Sequence, residues 1–337
     1  MDQRLSALRE WLSGALADGP DEVAVASADA SFRRYFRVRH RGGTAIAMDA
    51  PPAHEDPRPW LRVAALLEGA GVHAPHVAAV DLERGFVLMS DLGDRTYQQA
   101  LDAGADPAPL YRDALAALAR MQGRIAPPAD LPRYDRALLR RELELFREWF
   151  CVRHLGLALD AAEHALLDAA FAWLEDQALA MPTCFVHRDY HARNLMVVER
   201  GADGSNPGIL DFQDAVVGPV AYDLVSLTRD AYLRWEPARI TAWIAEYHAL
   251  ARAAAVPVPA SVSELALQHD LIGVQRHLKV AGIFARLCHR DGKRRYLDDL
   301  PRVVGYLREV VPKQAALAQL ARFLEARVAP RLAAVGP

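Results

Sequence analysis

The first 49 residues change from helical to alternating spacing of apolar residues, which predicts a helix followed by strands. Leu5, Leu8, Leu12 and Leu16 recur every three or four residues, and Gly19-Pro20 ends that pattern. Beyond it, strands are predicted at 23–25, 35–38 and 45–48, a helix at 57–71, and paired strands at 77–80 and 86–89. The first ninety residues are therefore expected to form a small antiparallel sheet that carries a helix.

Helical periodicity prevails after about Thr96, with one interruption between Phe185 and Phe212. There, short apolar runs at 195–198 and 208–211 flank a loop rich in turn residues, which indicates a β-hairpin. The pattern predicts an α+β protein with a sheet-containing N-terminal lobe at 1–92. A mainly helical C-terminal lobe at 93–337 would contain the hairpin.

The composition is that of an ordinary globular protein, with 52% hydrophobic and 25% charged residues. A formal net charge of -3 argues against a general nucleic-acid binder. The sequence shows neither a signal segment nor an apolar run of membrane-spanning length. Three widely spaced cysteines, Cys151, Cys184 and Cys288, suit a reducing compartment. We expect a cytoplasmic monomer that binds neither nucleic acid nor membrane.

The predicted hairpin brings chemically active side chains together. Antiparallel pairing of 195–198 with 208–211 places Asn194 close to Asp211, and Asp189 lies only five residues before Asn194. A carboxylate and an amide oxygen suit Mg²⁺, which takes its other ligands from phosphate and water. A second carboxylate beside the ion could orient a hydroxyl group, so the cluster has the minimum equipment for phosphoryl transfer.

The string His187-Arg188-Asp189-Tyr190-His191-Ala192-Arg193-Asn194 resembles the catalytic loop of the kinase superfamily. Asp211-Phe212 resembles the start of its Asp-Phe-Gly motif, with Gln213 in place of glycine. The segment 209–224 is similar to the aminoglycoside phosphotransferase branch, whose members phosphorylate small molecules. This resemblance covers roughly residues 25 to 300 and implies a two-lobed, protein-kinase-like fold that uses ATP and Mg²⁺.

Within that branch, the chain resembles the anomeric sugar kinases of cell-wall recycling, which act on N-acetylmuramate and N-acetylglucosamine. Four segments carry the likeness, namely 27–37, 48–52, 211–215 and 275–279. The resemblance implies a small-molecule sugar as substrate and ATP as phosphate donor.

The same likeness assigns roles to the hairpin cluster. Asp189 would accept the proton of the sugar hydroxyl, while Asn194 and Asp211 would hold Mg²⁺. His187 and Asp223 are interpreted as buried supports of the loop rather than as ligands.

The pattern departs from most kinases at the lysine that holds the nucleotide phosphates. No lysine precedes Lys279, and the matching strand reads Ala45-Ile46-Ala47-Met48-Asp49. The glutamate that would pair with the lysine is replaced by Trp60. Loss of both charges together is reasonable, because either one left alone in a closed cleft would be costly.

Arginines near the first predicted turn could take over from the missing lysine. Arg33, Arg34 and Arg37 follow Ser31-Phe32, which stands where a glycine-rich phosphate loop would be. Ser31, Phe32, Arg33 and Arg34 are therefore predicted to contact the nucleotide. In an alternating strand Arg33 and Arg37 share a face that Arg34 does not. A solvated basic strand edge would explain any one of these arginines equally well.

The adenine ring is expected near the connection between the two lobes. Met89 and Asp91 stand at this position, where backbone groups would meet the base.

The segment 271–297, which we expect to contribute to the sugar site, is rich in basic residues and contains a single acid. A polycationic aminoglycoside would need carboxylates, whereas the carboxylate of N-acetylmuramate would suit arginine, and Arg276 is the preferred candidate. Further candidates for the sugar site are Glu148, Trp149, Asp214 and Arg229. Most of the basic residues would simply form a solvated helix face, and a tryptophan such as Trp149 more often belongs to a core.

Three other functions remain open from the sequence. The chain could be another kinase of the same branch, acting on choline, homoserine, a thiosugar or an aminoglycoside. It could be a metal-dependent hydrolase that uses His187, Asp189 and His191 as ligands, although Asn194 and Asp211 would then have no role. It could also be a module that binds nucleotide without turnover.

Overall fold

The computed structural model of the chain describes residues 2–28, 32–198 and 206–335. It has an antiparallel sheet near the N-terminus and mostly helices thereafter, so the predicted α+β class is confirmed. None of the helices in the described ranges is both long and apolar enough to cross a membrane.

The chain divides into two compact units by its internal contacts. The first unit contains Met1–Met121 and Ala192–Ala215, and the second contains Gln122–His191 and Val216–Pro337. These units differ from the lobes predicted at 1–92 and 93–337, because the hairpin segment returns to the first unit. The lobe boundaries remain a prediction.

The helices and strands follow one another along the chain with short connections. The N-terminal part contains α1 (Gln3–Ala15), β1 (Glu22–Ala28), β2 (Arg34–His40), β3 (Gly43–Asp49), α2 (Arg58–Gly69), β4 (Val77–Asp81), β5 (Phe86–Ser90), α3 (Tyr97–Asp102) and α4 (Pro107–Arg124). Next come α5 (Arg136–Leu145), a π-helical segment (Phe146–His154), α6 (Ala161–Ala180), β6 (Thr183–Val186), β7 (Leu195–Met196), β8 (Gly208–Ile209) and β9 (Val216–Pro219). The remainder contains α7 (Tyr222–Thr228), α8 (Pro237–Ala253), α9 (Val262–His289), α10 (Leu300–Val310), α11 (Ala318–Phe323) and α12 (Ala329–Val335). Short 3₁₀ segments at Arg294–Asp299, Val311–Lys313 and Ala315–Leu317 and a π-helical turn at Leu324–Val328 complete it.

The sheet of the first unit has the strand order β1-β2-β3-β5-β4, and every neighbouring pair is antiparallel. One face of it packs on α1, where Leu8 and Leu12 meet Phe36 and Val38 in a buried cluster. Because side chains alternate along a strand, the odd-numbered residues of β2 point to the opposite face. The predicted N-terminal helix and all five predicted strands are confirmed.

Asp49, at the end of β3, is a fully buried carboxylate that ties α1 to the sheet. It accepts a hydrogen bond of 2.8 Å from Arg4 Nε and one of 2.6 Å from Arg34 Nη2. Asp2, the N-cap of α1, also binds Arg34. Two arginines therefore neutralise a charge that would otherwise be costly to bury.

The second unit is built around α9, a 28-residue helix that is buried over most of its length. Gly282 allows the close approach of α5, because an added Cβ would lie 2.3 Å from the carbonyl carbon of Leu145. Beside these helices, β6 and β9 form an antiparallel pair in which Cys184 lies opposite Gly218. The sequence interpretation missed both β6 and β9.

Candidate functional site

The predicted hairpin is present in the first unit, but its strands are shorter than the predicted runs and pair Leu195 with Ile209 and Met196 with Gly208. One step further, Leu210 N donates a 2.9 Å hydrogen bond to the carbonyl oxygen of Asn194. This register brings Asn194 Nδ2 within 3.2 Å of Asp211 Oδ2. The two side chains therefore lie together, as the hairpin geometry predicted.

The backbone at Asp211 is left-handed, with φ of 62°, which is uncommon outside glycine and costly for a residue that bears a side chain. Gln213 Nε2 donates a 2.8 Å hydrogen bond to the other carboxylate oxygen, Oδ1. The carboxylate is exposed. A half-turn of the Asn194 amide would place its oxygen beside Asp211, and that all-oxygen donor set fits Mg²⁺.

A cavity of about 760 Å³ lies within the first unit, in the size range of small-molecule sites. Its lining includes Met89 and Asp91 from the β5 end and Asn194, Asp211 and Asp214 from the hairpin segment. The predicted adenine-contacting and metal-binding residues are therefore brought to one cavity. Asp214, predicted as a sugar contact, also belongs to this lining.

Two arginines line the same cavity, namely Arg37, on the face of β2 that is turned away from α1, and Arg33, which immediately precedes β2. Arg37 Nε forms a 2.7 Å ion pair with Asp91, and its Nη2 donates a 2.8 Å hydrogen bond to the Gly93 carbonyl. Arg33 forms a looser ion pair, 3.6 Å, with Glu55. Both can present positive charge to an anion in the cavity.

The predicted role of Arg34 in nucleotide binding is not supported by its position. Its side chain lies on the α1 side of the sheet, where it binds Asp2 and Asp49 and covers the ring of Phe36. The cause is strand alternation, which separates Arg34 from Arg33. Phe32 stacks on His54 and lies outside the cavity lining, and Ser31 falls outside the described residues.

Aromatic packing is found at the positions where the resemblance to kinases led us to look for a lysine–glutamate pair. Trp60 of α2 is 4% exposed, and its ring lies 5.0 Å from the ring of Phe212. Ile46 of β3 lines the same cavity. An apolar contact thus connects α2 to the residue that follows Asp211, where an ion pair would otherwise be expected.

The loop that contains Asp189 belongs to the second unit and is held by backbone hydrogen bonds. Asp223 Oδ2 accepts a 2.7 Å hydrogen bond from His187 N, and Oδ1 accepts a 2.9 Å bond from Arg188 N. Asp189 N donates to the buried ring nitrogen His187 Nδ1 at 3.2 Å. Burial raises the pKa of Asp223 to about 7, although these two N–H groups oppose that shift. The supporting roles predicted for His187 and Asp223 are confirmed.

A buried charge network fixes the same loop to α5 and α9. Glu142 binds both Arg188 and Lys279, with Lys279 Nζ at 3.0 Å from Oε1. Its other oxygen accepts hydrogen bonds from Tyr134 and from Gln275 Nε2, the latter at 3.2 Å. Burial alone would raise the pKa of Glu142, but the two cations lower it overall.

The network keeps Asp189 charged. Burial alone would raise the pKa of the Asp189 carboxyl, but Lys279, His191, Arg276 and Arg188 lower it. The side chain is partly exposed, so a carboxylate at neutral pH can accept a hydrogen bond from an alcohol.

The sequence reasoning missed Glu142 altogether and gave Lys279 no role. A signal was present, because the polar residues Gln275, Arg276, His277 and Lys279 interrupt an otherwise apolar and buried stretch of α9. Glu142, the partner of Gln275 and Lys279, is more than 130 residues away, so nothing local identified it.

Most of the remaining sugar-site candidates have structural partners in the second unit. Glu148 is exposed and pairs with Arg153, whose guanidinium lies 4.4 Å from the ring of Trp149. Trp149 itself packs against the helical core. Arg229 forms a 2.7 Å ion pair with Asp270. Arg276 differs, because it is 3% exposed and its Nε and Nη1 atoms have no hydrogen-bond partner among the residues that the structure describes.

A metal-dependent hydrolase would need a cluster of metal ligands, and the described part of the chain contains none of the expected kind. No group of three or more His, Cys, Asp and Glu side chains there is arranged to hold a metal ion. His187 uses Nδ1 to accept the Asp189 amide, and the ring of His191 packs against Tyr232.

Comparisons with known proteins agree on one family. The model of the phosphotransferase enzyme family (APH) matches residues 22–255. Proteins named N-acetylmuramate/N-acetylglucosamine kinase from Pseudomonas putida and Pseudomonas aeruginosa are each 47% identical to this chain over 334 residues, covering 96% of both chains. One of the same name from Neisseria meningitidis is 41% identical over 322 residues, covering 94% of both chains.

Solved structures of low sequence identity share the fold. An ADP-bound aminoglycoside phosphotransferase, APH(2'')-Ib, matches with a TM-score of 0.59 and 14% identity, covering 91% of this chain and 98% of that one. The choline kinase LicA from Streptococcus pneumoniae matches with a TM-score of 0.62 and 11% identity, covering 90% and 99%. The predicted protein-kinase-like fold is therefore confirmed.

Removal of the buried carboxylate should destabilise the protein strongly. Glu142→Ala leaves Arg188 and Lys279 without their counter-ion, which typically costs about 3–5 kcal/mol for a buried pair. Glu144→Ala on the same helix is the matched control, because Glu144 is partly exposed and its loss should cost at most ~1 kcal/mol. Urea unfolding followed by tryptophan fluorescence measures both. Equal stability of the two variants would contradict the importance of the network.

Proposed function

Because the chain belongs to the phosphotransferase enzyme family, we propose that it transfers the γ-phosphoryl group of ATP to the anomeric hydroxyl of an amino sugar. N-acetylmuramate and N-acetylglucosamine are the proposed acceptors. The similarity to the two Pseudomonas kinases carries this proposal, since it is 47% over nearly the whole of both chains. The shared fold alone would not identify a substrate.

The reaction forms a bond between the anomeric oxygen and the γ-phosphorus and breaks the bond to the β–γ bridging oxygen, so ADP leaves. Asp189 orients the sugar hydroxyl and accepts its proton. Its lowered pKa means that the group is a carboxylate at neutral pH. Positioning and charge neutralisation supply most of the catalysis in such transfers.

ATP binds, in this proposal, in the cavity of the first unit. Met89 and Asp91 contact the adenine end, and Arg33 and Arg37 supply the positive charge that the missing lysine would have given. Asn194 and Asp211 hold Mg²⁺, which when bound neutralises charge on the phosphates.

The proposed setting is the cytoplasm, where ATP is available. The acceptor must have an unsubstituted anomeric hydroxyl, so a glycoside-cleaving enzyme must supply it. That requirement fits an enzyme of peptidoglycan recycling, and we propose that it acts as a monomer.

Incubation with ATP, Mg²⁺ and N-acetylmuramate should yield ADP and a sugar 1-phosphate. ³¹P NMR of the product should show phosphorus coupled to the anomeric proton, because the phosphate is attached at that carbon. Choline and an aminoglycoside serve as competing acceptors in the same assay. Phosphate at another oxygen, or turnover with choline or the aminoglycoside only, would refute the proposal.

The base is tested by Asp189→Asn, which keeps the shape of the side chain but removes its proton affinity. Turnover should fall by at least ~100-fold, because general-base catalysis typically contributes that much. Nucleotide binding, measured by calorimetry with ADP, should change little. Asp176→Asn, at an exposed acid of α6, is the control and should retain full activity. Normal turnover of Asp189→Asn would rule out the assigned role.

Arg33, which immediately precedes β2, and Arg34, the first residue of β2, provide a matched pair for the phosphate contact. Arg33→Ala should raise the KM for ATP by roughly 10-fold, which corresponds to loss of one charge-assisted hydrogen bond. Arg34→Ala should lower stability through Asp49 but leave the KM for ATP unchanged. Steady-state kinetics and thermal melting separate the two effects. The assignment is wrong if Arg33→Ala leaves the KM unaltered or if both variants raise it equally.

A further inference from the structure

Arg276 is a buried cation that forms no direct ion pair with a carboxylate among the residues that the structure describes. It lies in the middle of α9 and is 3% exposed. Its Nε and Nη1 atoms have no hydrogen-bond partner among the residues that the structure describes. Burial of guanidinium N–H groups without hydrogen-bond partners is unfavourable. Binding of an anion to these groups would therefore lower the free energy of the site.

Three other buried or partly buried cations of the second unit are neutralised by direct contact. Lys279, one turn further along α9, binds Glu142 at 3.0 Å, and Arg188 binds the same carboxylate. Arg229 binds Asp270 at 2.7 Å. Glu142 already accepts from two cations, so its charge is not available to Arg276.

The position of Arg276 relates it to the proposed acceptor site. Its neighbour in the chain, Gln275, donates to Glu142, which in turn binds Arg188, the residue before Asp189. The charge of Arg276 is close enough to lower the pKa of Asp189. A sugar whose hydroxyl is oriented by Asp189 would therefore approach this guanidinium.

We propose that Arg276 binds the lactyl carboxylate of N-acetylmuramate and sets the preference for this sugar over N-acetylglucosamine. The inference rests on the proposed function. The two sugars differ only in the lactyl ether, so they differ by one carboxylate. The planar guanidinium can donate two parallel hydrogen bonds to that group, and a low-dielectric environment strengthens the pair.

A purely electrostatic role for Arg276 makes a different prediction. If the residue acted only by tuning Asp189, its removal would impair every acceptor alike. A comparison of acceptors that share the anomeric hydroxyl but differ in charge separates the two roles.

The experiment compares Arg276→Met with the wild-type enzyme on N-acetylmuramate, its methyl ester and N-acetylglucosamine. The variant should lose ~10- to 100-fold in kcat/KM for N-acetylmuramate, mainly through KM, which is the range expected for a charge-assisted contact. Its kcat/KM for the ester and for N-acetylglucosamine should stay within about threefold of wild type. The wild-type enzyme should prefer the acid to the ester, and the variant should not.

Two further variants serve as controls. Arg276→Lys keeps the charge but loses the paired donors, so it should restore part of the preference for the acid. Arg290→Met, at the exposed C-terminal end of α9, should behave as wild type with all three acceptors. Thermal melting should show no loss of stability in Arg276→Met, since the wild-type side chain makes no hydrogen bond through Nε or Nη1 that could be lost.

Equal losses on acid and neutral acceptors would overturn the inference and indicate the electrostatic role. A drop in melting temperature in both Arg276 variants with unchanged acid preference would overturn it as well. Failure of the wild-type enzyme to phosphorylate any of the three sugars would refute the proposed function instead, so the two failures are distinguishable.

Discussion

The second unit depends on one buried carboxylate, that of Glu142. Its two oxygens bind Arg188, Lys279, Tyr134 and Gln275, which come from three distant parts of the chain. A carboxylate in this position is stable only because both of its oxygens are fully used. Glu142 thereby holds the side chain of Arg188 in the loop before Asp189. Asp223 holds the backbone of the same loop through the N–H groups of His187 and Arg188. Asp189, the proposed base, is consequently held by partners that need not contact the substrate.

In the first unit, neighbouring arginines point to opposite faces of the sheet and so have different partners. Arg33 and Arg37 line the cavity, whereas Arg34, next to Arg33 in the chain, neutralises Asp49 on the opposite face. The absence of the usual lysine is matched by the absence of its glutamate, and Trp60 packs on Phe212 instead. A ring contact can connect α2 to the Asp211 segment without placing a lone charge in the cavity.

Much of the fold could be predicted because its signals are local. The helical spacing of α1, the alternation in β1 to β5 and the turn-rich loop between β7 and β8 all lie within short windows of sequence. The proximity of Asn194 and Asp211 followed from the register of a single hairpin. Where a feature depends on residues that are neighbours in sequence, periodicity and turn chemistry were sufficient.

The features that escaped prediction depend on distant contacts. Strand β9 is only four residues long and pairs with β6, more than thirty residues earlier, and Glu142 meets Gln275 across 133 positions. Arg34 was predicted to contact the nucleotide. The sequence did not reveal that its side chain binds the buried carboxylate of Asp49 instead. Charged residues in particular cannot be assigned to a site until their counter-ions are known.

The same reasoning explains how one acceptor site could serve an acidic and a neutral sugar. A carboxylate would satisfy the N–H groups of Arg276 directly, whereas a water molecule could satisfy them when the sugar lacks the lactyl group. A water molecule would stabilise the guanidinium less than a carboxylate, because water is neutral and must be immobilised. The neutral sugar would therefore be accepted but less favoured. Lys279 cannot act in this way, since Glu142 already neutralises it. Two cations one helical turn apart on α9 thus differ in environment, because among the described residues only Lys279 forms a direct ion pair.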